Sequence, residues 1–345
     1  MAEIGVSLIL VAALVSFAMA FFVMKRATRL GLLAHPNERS SHKVPTPSGG
    51  GAGIVAGGTV ASLLLVLLIP GIGVPVVFAG LLMAILGYWD DRKPIPPQWR
   101  LGAQVLLTGS MLAVLPMDGL ATALGLFLPE WALMVGTTLI GVLFINLFNF
   151  MDGIDGLAGS EAVTVLLGMT LLAWAGHPDA ALHPLFWWML GVAAATVGFL
   201  FLNWPPARLF MGDVGSTWLG LMLGFFAFAS ISGGWLSAPQ WLIMTALFWA
   251  DSLVTLIRRL LRGEAVWQAH RRHAYQKLAR RWNSHRRVTL LAIAINVLVL
   301  LPLGYVAAVL PDLGWALAVL VLLALSALCA WAGAGAPLDP EEQAA

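Results

Sequence analysis

Two adjacent acidic residues, Asp90 and Asp91, end a long apolar run and are followed at once by Arg92 and Lys93. Adjacent carboxylates repel each other unless a cation lies between them or one of them is protonated. Mg²⁺ takes oxygen ligands and usually keeps substrate phosphates in its coordination shell, so it suits paired acids. The pair therefore indicates either a magnesium site or a solvated helix end in which both carboxylates pair with the neighbouring basic residues.

A second group of polar residues has a regular spacing of three. Asn146, Asn149 and Asp152 follow this interval, and Asp155 continues it. Residues three apart lie on one face of a helix. Polar groups near lipid are costly and usually mark functional paths. Two amides and two carboxylates on one stripe are difficult to explain by packing, and we interpret the stripe as functional.

A third polar segment, residues 203–216, reads N-W-P-P-A-R-L-F-M-G-D-V-G-S. Its two prolines end one helix, and a new helix is predicted to open at Ser216, shortly after Asp213. The exposed amides of a helix N-terminus form a ready anion site, and Asp213 can supply a metal ligand beside it. The alternative is that Asp213 only caps the helix that follows.

Two further segments are basic. Residues 37–51 carry Arg39 and His42 ahead of prolines and three glycines. They form either a ligand-binding loop or a loop whose glycines pack at the start of the next helix. The other segment carries His270 and His273, which share one helical face. A histidine pair can signal zinc, but the surrounding arginines disfavour a cation and favour phosphate. The alternative is that both imidazoles are solvated.

The elements that carry these segments are predicted from the distribution of charge. Of 345 residues, 60% are hydrophobic and only 10% are charged, whereas soluble domains carry about 25% charged residues. A helix crosses the hydrocarbon core in about 20 residues, so uncharged runs such as 44–89 and 214–250 each hold two crossings. We therefore predict an all-α polytopic membrane protein with one domain over residues 1–345. About eleven helices of this length are predicted near residues 5–24, 49–69, 73–89, 101–117, 131–149, 158–176, 183–202, 214–231, 236–257, 288–309 and 313–333.

The orientation is predicted from the basic residues. All 19 lysines and arginines fall in residues 25–48, 90–100, 203–213 and 258–287, which share one side of the membrane in this topology. The positive-inside rule makes that side cytoplasmic. This predicts an outward N-terminus, a cytoplasmic C-terminus, and a cytoplasmic basic loop at 258–287 that carries the histidines. Topology explains its charge better than nucleic-acid binding does. The first helix lacks a basic flank and a cleavage site, and we predict a retained span.

In order along the chain, these motifs resemble those of the polyprenyl-phosphate N-acetylhexosamine-1-phosphate transferases (glycosyltransferase family 4). The shared features are R-x-x-H-x-x-P-T-P-x-G-G at 39–50, the acid pair, N-x-x-N-x-x-D-G-x-D-G-L-A at 146–158, F-M-G-D-x-G-S at 210–216, and the histidine segment. Two departures are Arg100, where the family usually carries Lys, and H-R-R-H-A-Y-Q in place of HxHH. The second departure looks like the branch that initiates O-antigen chains.

The resemblance implies transfer of a sugar 1-phosphate from a UDP-N-acetylhexosamine to undecaprenyl phosphate, with release of UMP. It implies Mg²⁺ as the cofactor, with Mn²⁺ as an alternative. Asp213 is the leading metal ligand, and Asp90, Asp91 and Asp152 lie beside the metal or the attacking phosphate. The remaining implied roles are catalytic contact with the pyrophosphate for His270 and His273, and substrate binding for Arg39, His42, Arg100, Asn149 and Asp155.

The implied partners are undecaprenyl phosphate, a UDP-N-acetylhexosamine and the lipid bilayer, with no nucleic acid; a homodimer is left open, as is the donor sugar. The implied location is the bacterial inner membrane, with the active site on the cytoplasmic face. The main alternative is a secondary transporter, which would place ionisable groups near the bilayer midplane in repeated halves. A CDP-alcohol phosphatidyltransferase requires D-G-x-x-A-R, which residues 155–160 do not continue. The single Cys329 excludes a disulfide within the chain and disfavours a thiolate metal site.

Overall fold

The computed structural model of the chain describes residues 2–34, 44–265 and 270–337. The α-helices are α1 (Ala2–Leu30), α2 (Gly51–Ala61), α3 (Leu63–Leu68), α4 (Pro70–Arg92), α5 (Pro97–Leu112), α6 (Met117–Leu124), α7 (Glu130–Phe150), α8 (Leu157–Gly176), α9 (Pro184–Asn203), α10 (Asp213–Ser232), α11 (Ala238–Met244), α12 (Ala246–Leu260), α13 (Ala274–Trp282), α14 (His285–Ile295), α15 (Leu301–Val309) and α16 (Gly314–Trp331). A π-helical turn, Asn296–Leu300, joins α14 to α15, and 3-10 turns form at Pro178–Leu182 and Pro311–Leu313. Two short strands, β1 (Leu33–Ala34) and β2 (Thr46–Pro47), pair in antiparallel fashion.

The fold class predicted from the sequence is confirmed. Within the described residues, nine helices are long and apolar enough to cross a bilayer, and the number rises to eleven if each of two bent pairs forms one crossing. In a bilayer every backbone polar group must be satisfied within the protein, which explains why the long apolar runs are helical. The orientation of the termini and the assignment of one domain to the whole chain stay predictions.

The two bent pairs correct the predicted boundaries. The helix predicted at 101–117 is wrong in its last part, because α5 ends at Leu112 and α6 runs at 94° to it. Pro116 precedes α6, and a proline disfavours helical geometry in the residue before it. The helix predicted at 236–257 is divided into α11 and α12, which meet at 72°. At this break the Thr245 hydroxyl donates to the Trp241 carbonyl at 2.7 Å.

Helix α10 lies at the centre of the bundle, where it packs against α2, α4, α6 and α7. Small residues permit this close packing, as is usual between membrane helices. Gly51 of α2 lies directly against Gly215 of α10, and the ring of Trp218 covers Gly58 and Gly80. Because α10 begins at Asp213, the same packing holds a candidate site residue in place.

The 258–287 segment, predicted as a basic loop, contains regular structure. Residues 258–260 complete α12, α13 lies within the segment, and residues 285–287 begin α14. Residues 332–337, which we call the C-terminal strap, lie against it. Three basic side chains of the segment donate hydrogen bonds to carbonyl oxygens at and after the end of α16: Arg258 to Ala330 and Ala334 (3.0 and 2.9 Å), Arg262 to Gly335, and Lys277 to Pro337 (3.1 Å). The last crossing is therefore joined to the histidine-bearing segment.

Candidate active site

A pocket of about 270 Å³ opens where the ends of α7 and α9 meet the beginnings of α10 and α14. The predicted site residues that line it are Asn149, Asp152, Asp155 and Asp213. Polar residues that line it without having been assigned from the sequence are Ser48, Asn203, Gln276 and His285. Arg39 and His42, predicted to bind substrate, lie outside the described residues.

Asp91, at the end of α4, binds the first turn of α10. Its carboxylate accepts hydrogen bonds from the backbone N–H groups of Asp213 and Val214, at 2.7 and 3.2 Å. Gly212 has φ +74°, and an added Cβ would lie 2.5 Å from an Asp91 oxygen, so glycine is required there. A carboxylate at a helix N-terminus is stabilising. The anion site expected at the start of this helix is therefore filled by Asp91, and it is Asp91 rather than Asp213 that caps the helix.

Asp90 and Asp213 share one arginine. Asp90 Oδ2 lies 2.7 Å from Arg100 Nη1, and Asp90 Oδ1 accepts a hydrogen bond from the backbone N–H of Ile95 at 2.6 Å. The same Arg100 nitrogen lies 3.9 Å from Asp213 Oδ2. One guanidinium facing two carboxylates leaves net negative charge, and this favours an additional cation. The substrate-binding role of Arg100 stays a prediction.

Asn149 holds Asp213 from the other side. Its Nδ2 donates hydrogen bonds to Asp213 Oδ1 and to Ser216 Oγ, both at 2.8 Å. Asn149 lies one residue from the end of α7, and Asp213 is the first residue of α10. The Asp213 carboxylate is thus oriented by contacts from α5 and α7 as well as by its own helix.

The stripe predicted from the spacing of three divides in the structure. Asn146 faces α5, where its Nδ2 donates to Gln104 Oε1 at 2.7 Å, and it does not line the pocket. Helix α7 ends at Phe150, so Asp152 and Asp155 belong to the turn before α8. The expectation of one helical face is therefore wrong for Asp152 and Asp155, which reach the pocket through the turn, whereas Asn146 lies on α7 but contacts α5.

Asp152 lies in the turn between α7 and α8, close to other carboxylates. Burial raises the pKa of Asp152 well above the usual range for an aspartic acid, and the carboxylates of Asp213, Asp91 and Asp155 raise it further. A carboxylate that ionises against three others requires compensating positive charge. The turn therefore has the electrostatics of a cation site.

These acids fit a magnesium ion. In the described parts of the chain, no three His, Cys, Asp or Glu side chains already form a cluster able to hold a metal. Mg²⁺ usually needs only one or two protein carboxylates, because substrate phosphates and waters complete its shell. Asp213 and Asp152, which line the pocket, are the residues that fit such a role, with Asp90 beside Asp213. Asp91 fits less well because both of its oxygens accept backbone hydrogen bonds.

Asp155 ties the turn to two other segments. Its Oδ2 accepts a hydrogen bond from the backbone N–H of Ala207 at 3.0 Å and lies 3.2 Å from His285 Nδ1. The backbone N–H of Asp155 donates a hydrogen bond to the same imidazole nitrogen at 3.4 Å. No motif identified His285, because its partner lies 130 residues earlier in the chain.

His270 and His273 are not among the residues that line the pocket. His273 is buried, with Nδ1 3.3 Å from Asp251 Oδ1, and the His270 ring stacks on it with centroids 4.9 Å apart. Burial, together with the neighbouring His273, Arg259 and Arg272, lowers the pKa of His270 to about 3. His270 is therefore a neutral imidazole near pH 7. The catalytic role assigned to the two histidines stays a prediction.

The chain is similar to a group of membrane transferases. The family model described as glycosyl transferase family 4 matches residues 74–231. A decaprenyl-phosphate N-acetylglucosaminephosphotransferase of Mycobacterium tuberculosis (strain ATCC 25618 / H37Rv) is 28% identical over 318 residues, which cover 82% of this chain and 77% of the relative. An undecaprenyl-phosphate alpha-N-acetylglucosaminyl 1-phosphate transferase of Yersinia pestis is 29% identical over 332 residues, 90% of this chain and 87% of the relative. A probable undecaprenyl-phosphate N-acetylglucosaminyl 1-phosphate transferase of Bacillus subtilis (strain 168) is 27% identical over 299 residues, 82% and 78%.

The region matched by the family model coincides with the centre of the site. It runs from α4 to α10 and includes the acids Asp90, Asp152 and Asp213. The similarity to the relatives extends well beyond this region, over four fifths of the chain or more. The chain is therefore similar to glycosyl transferase family 4 in its central region and to these transferases over most of its length.

Proposed function

We propose that this chain transfers N-acetylhexosamine 1-phosphate from a UDP-N-acetylhexosamine to undecaprenyl phosphate and releases UMP, which initiates a lipid-linked O-antigen or another cell-envelope polysaccharide. The similarity to these transferases and the apolar crossings support a membrane phosphoglycosyltransferase, and the substrates, the metal and the pathway belong to the same proposal. The observation that carries it is that Asp152 and Asp213 line one pocket at the ends of apolar crossings, with Asp90 joined to Asp213 through Arg100. The names of the three relatives support it, since each combines a polyprenyl phosphate with N-acetylglucosamine phosphate transfer.

The proposed reaction exchanges one phosphoanhydride for another. An oxygen of the acceptor phosphate attacks the phosphorus that carries the sugar, and the bond from that phosphorus to the bridging oxygen breaks. UMP leaves with the electron pair. A phosphate monoester has a second pKa of about 6 and is largely dianionic at neutral pH. No carboxylate of the chain therefore has to remove a proton from the acceptor.

The described residues suit a reaction that depends on positioning and on neutralising phosphate charge. Mg²⁺, or Mn²⁺ in its place, supplies charge neutralisation at the phosphate oxygens when bound. Asp213 and Asp152 would hold it, while Asn149 fixes the orientation of Asp213. Asp91 secures the start of α10, and Arg100 limits the repulsion between Asp90 and Asp213.

The position of the pocket agrees with substrates that arrive from two phases. The tail of a polyprenyl phosphate stays in the bilayer with its phosphate at the headgroup level, whereas a UDP-sugar is dissolved in water. A pocket at helix ends can receive both. We place it on the cytoplasmic face of the bacterial inner membrane, and the segregation of all 19 lysines and arginines supports this side.

A transfer assay tests the proposal directly. Purified protein is incubated with undecaprenyl phosphate, Mg²⁺ and each of several UDP-N-acetylhexosamines labelled in the sugar, and the soluble nucleotide is identified. We expect label in the organic phase together with an equal amount of UMP, and loss of both when EDTA removes the metal. Release of UDP instead of UMP would identify transfer of the sugar without its phosphate and would contradict the proposal. No transfer from any donor by folded protein would contradict it as well.

Replacing His285 with Ala is expected to lower kcat/KM for the UDP-sugar about tenfold, which corresponds to about 1.4 kcal/mol. The substitution removes an imidazole from the pocket, and with it the nitrogen that lies 3.2 Å from Asp155 Oδ2. The neighbouring exposed Arg286 is the matched control, and Arg286→Ala should keep the original kcat/KM. Equal kinetics for both variants would show that His285 has no part in substrate binding.

A further inference from the structure

Asp251 is a buried carboxylate in α12, within an apolar crossing where such a group is costly. Its two oxygens are fully used. Oδ1 accepts a hydrogen bond from the backbone N–H of Ala274 at 2.8 Å, and Oδ2 accepts one from Tyr275 at 3.0 Å. His273 Nδ1 lies 3.3 Å from Oδ1. One carboxylate of α12 therefore binds the first residues of α13.

This arrangement is a helix cap supplied by another helix. The first N–H groups of a helix have no partner within it, and negative charge at that end is stabilising. The backbone N–H of His273, which precedes α13, donates to Gln276 Oε1 at 3.3 Å. The donors at the start of α13 are thus satisfied within the chain. This cap explains why the charged side chain of Asp251 is buried in α12, and no role in transport is needed to explain it.

Two side chains of α13 reach the end of α7 and the turn that follows it, and one of them, Gln276, lines the pocket. Tyr275 Oη donates to the carbonyl oxygen of Phe150, the last residue of α7, at 2.9 Å. Gln276 lines the pocket, and an added Cβ on Gly153 would lie 2.9 Å from its Nε2. Because Gln276 Oε1 is already engaged, its NH₂ group is the part that faces the pocket. An amide N–H beside a group of carboxylates is a donor for an oxygen of the substrate.

We propose that Asp251 is a positioning residue for the transfer reaction. It fixes the start of α13 and thereby holds the Gln276 amide where it donates a hydrogen bond to an oxygen of the UDP-sugar. The identity of that substrate rests on the proposed function. The contact between Asp251 and α13 is independent of it.

The test compares three substitutions for their kinetics and for trypsin cleavage of the arginine-rich 271–281 region in membrane vesicles. Asp251→Asn places an NH₂ group against one of two backbone donors. We expect KM for the UDP-sugar to rise at least fivefold and the region to be cleaved at least fivefold faster. Gln276→Ala should raise KM similarly but increase cleavage less than Asp251→Asn does, because it removes only the hydrogen bond from the His273 N–H and leaves both backbone donors bound to Asp251. Thr255→Val is the matched control: Thr255 donates to the same Asp251 oxygen at 3.2 Å, but the bonds that join Asp251 to α13 come from Ala274 and Tyr275, so both measurements should stay unchanged.

Either of two results would overturn the proposal. One is an unchanged KM in Asp251→Asn together with faster cleavage, because α13 would then not position the substrate. The other is an unchanged cleavage rate, because Asp251 would then not hold α13. If Asp251→Asn fails to fold, Asp251→Glu is measured in its place. Its retained carboxylate should keep much of the resistance of the 271–281 region to trypsin. If the unmodified protein transfers no sugar phosphate, the proposed function fails, whereas the trypsin comparison still tests the cap.

Discussion

Replacing Asp213 with Asn should reduce transfer about 10³-fold while the helix bundle stays folded. Asn keeps the size of the side chain and can still accept the hydrogen bond that Asn149 donates at 2.8 Å. The bond from the Asp213 N–H to Asp91 involves only backbone on this side and is preserved. What is lost is one full charge at the proposed metal site. A factor of 10³ corresponds to about 4 kcal/mol of transition-state stabilisation. The quantity to measure is kcat/KM for the UDP-sugar at several Mg²⁺ concentrations.

The same chemical change at Asp118 provides the control. Asp118 is exposed in the first turn of α6 and does not line the pocket, so Asp118→Asn should transfer sugar phosphate at the original rate. Higher Mg²⁺ should recover part of the activity of Asp213→Asn, because a weakened site fills at higher metal concentration. Original kinetics in Asp213→Asn would remove this residue from the metal site, and the proposed reaction would lose its main ligand.

The second large effect is expected from Gly215→Ala, which should destabilise the bundle by about 3 kcal/mol, at the upper end of the usual cost of overpacking. An added Cβ would lie 2.5 Å from Met211 Cγ and 2.6 Å from Gly51 Cα. The methionine side chain can move aside. The Gly51 backbone can move only if α2 shifts away from α10. Thermal unfolding in detergent should show a midpoint lowered by several degrees, and activity should fall because Asp213 lies two residues away.

Gly224→Ala, in the same helix, is the matched comparison for this effect. Among the described residues, and apart from its two chain neighbours and the nearby backbone of α10 itself, no atom lies within 4 Å of the Cβ that the substitution would add. Its midpoint should equal that of the original protein or exceed it slightly, because Ala favours a helix more than Gly does. Equal midpoints for the two variants would mean that α2 and α10 are not in backbone contact.

The crossings could be predicted from the sequence because a bilayer demands long uncharged runs. The predicted 131–149 and 158–176, for example, correspond to α7 and α8. The breaks inside such runs were missed, since α5 and α6 are both apolar and the count of charges does not register their bend of 94°. Pro116 was the local signal for that break, because it disfavours helical geometry in the residue before it.

The candidate site was predicted in part, and the missing part depends on tertiary contacts. Residue type and spacing identified Asn149, Asp152 and Asp213, all of which line the pocket. The same spacing included Asn146, which faces α5. The spacing did not show that α7 ends at Phe150 and that the side chains after it point in other directions. No pattern in a single sequence could pair Asp155 with His285 across 130 residues.

The role of the acid pair could not be divided from the sequence for the same reason. Asp90 and Asp91 are neighbours of one chemical type, and both were assigned to metal and catalysis. In the structure Asp90 faces Arg100, whereas Asp91 binds two backbone N–H groups of α10. Successive residues of α4 point in different directions around the helix, so Asp90 and Asp91 face different neighbours. Which neighbours they face depends on how α4 packs against α10.

The C-terminal strap determines how the protein can be handled in the laboratory. Arg262, which follows α12, and Lys277 of α13 donate hydrogen bonds to carbonyl oxygens of the strap as far as Pro337. An affinity tag or fluorescent reporter that replaces the residues after Trp331 removes these acceptors, although every crossing remains and the product still inserts into membranes. A fusion that begins after Pro337 keeps them. Yield or fluorescence alone cannot distinguish the two designs, so expression screens should score resistance of the 271–281 region to trypsin.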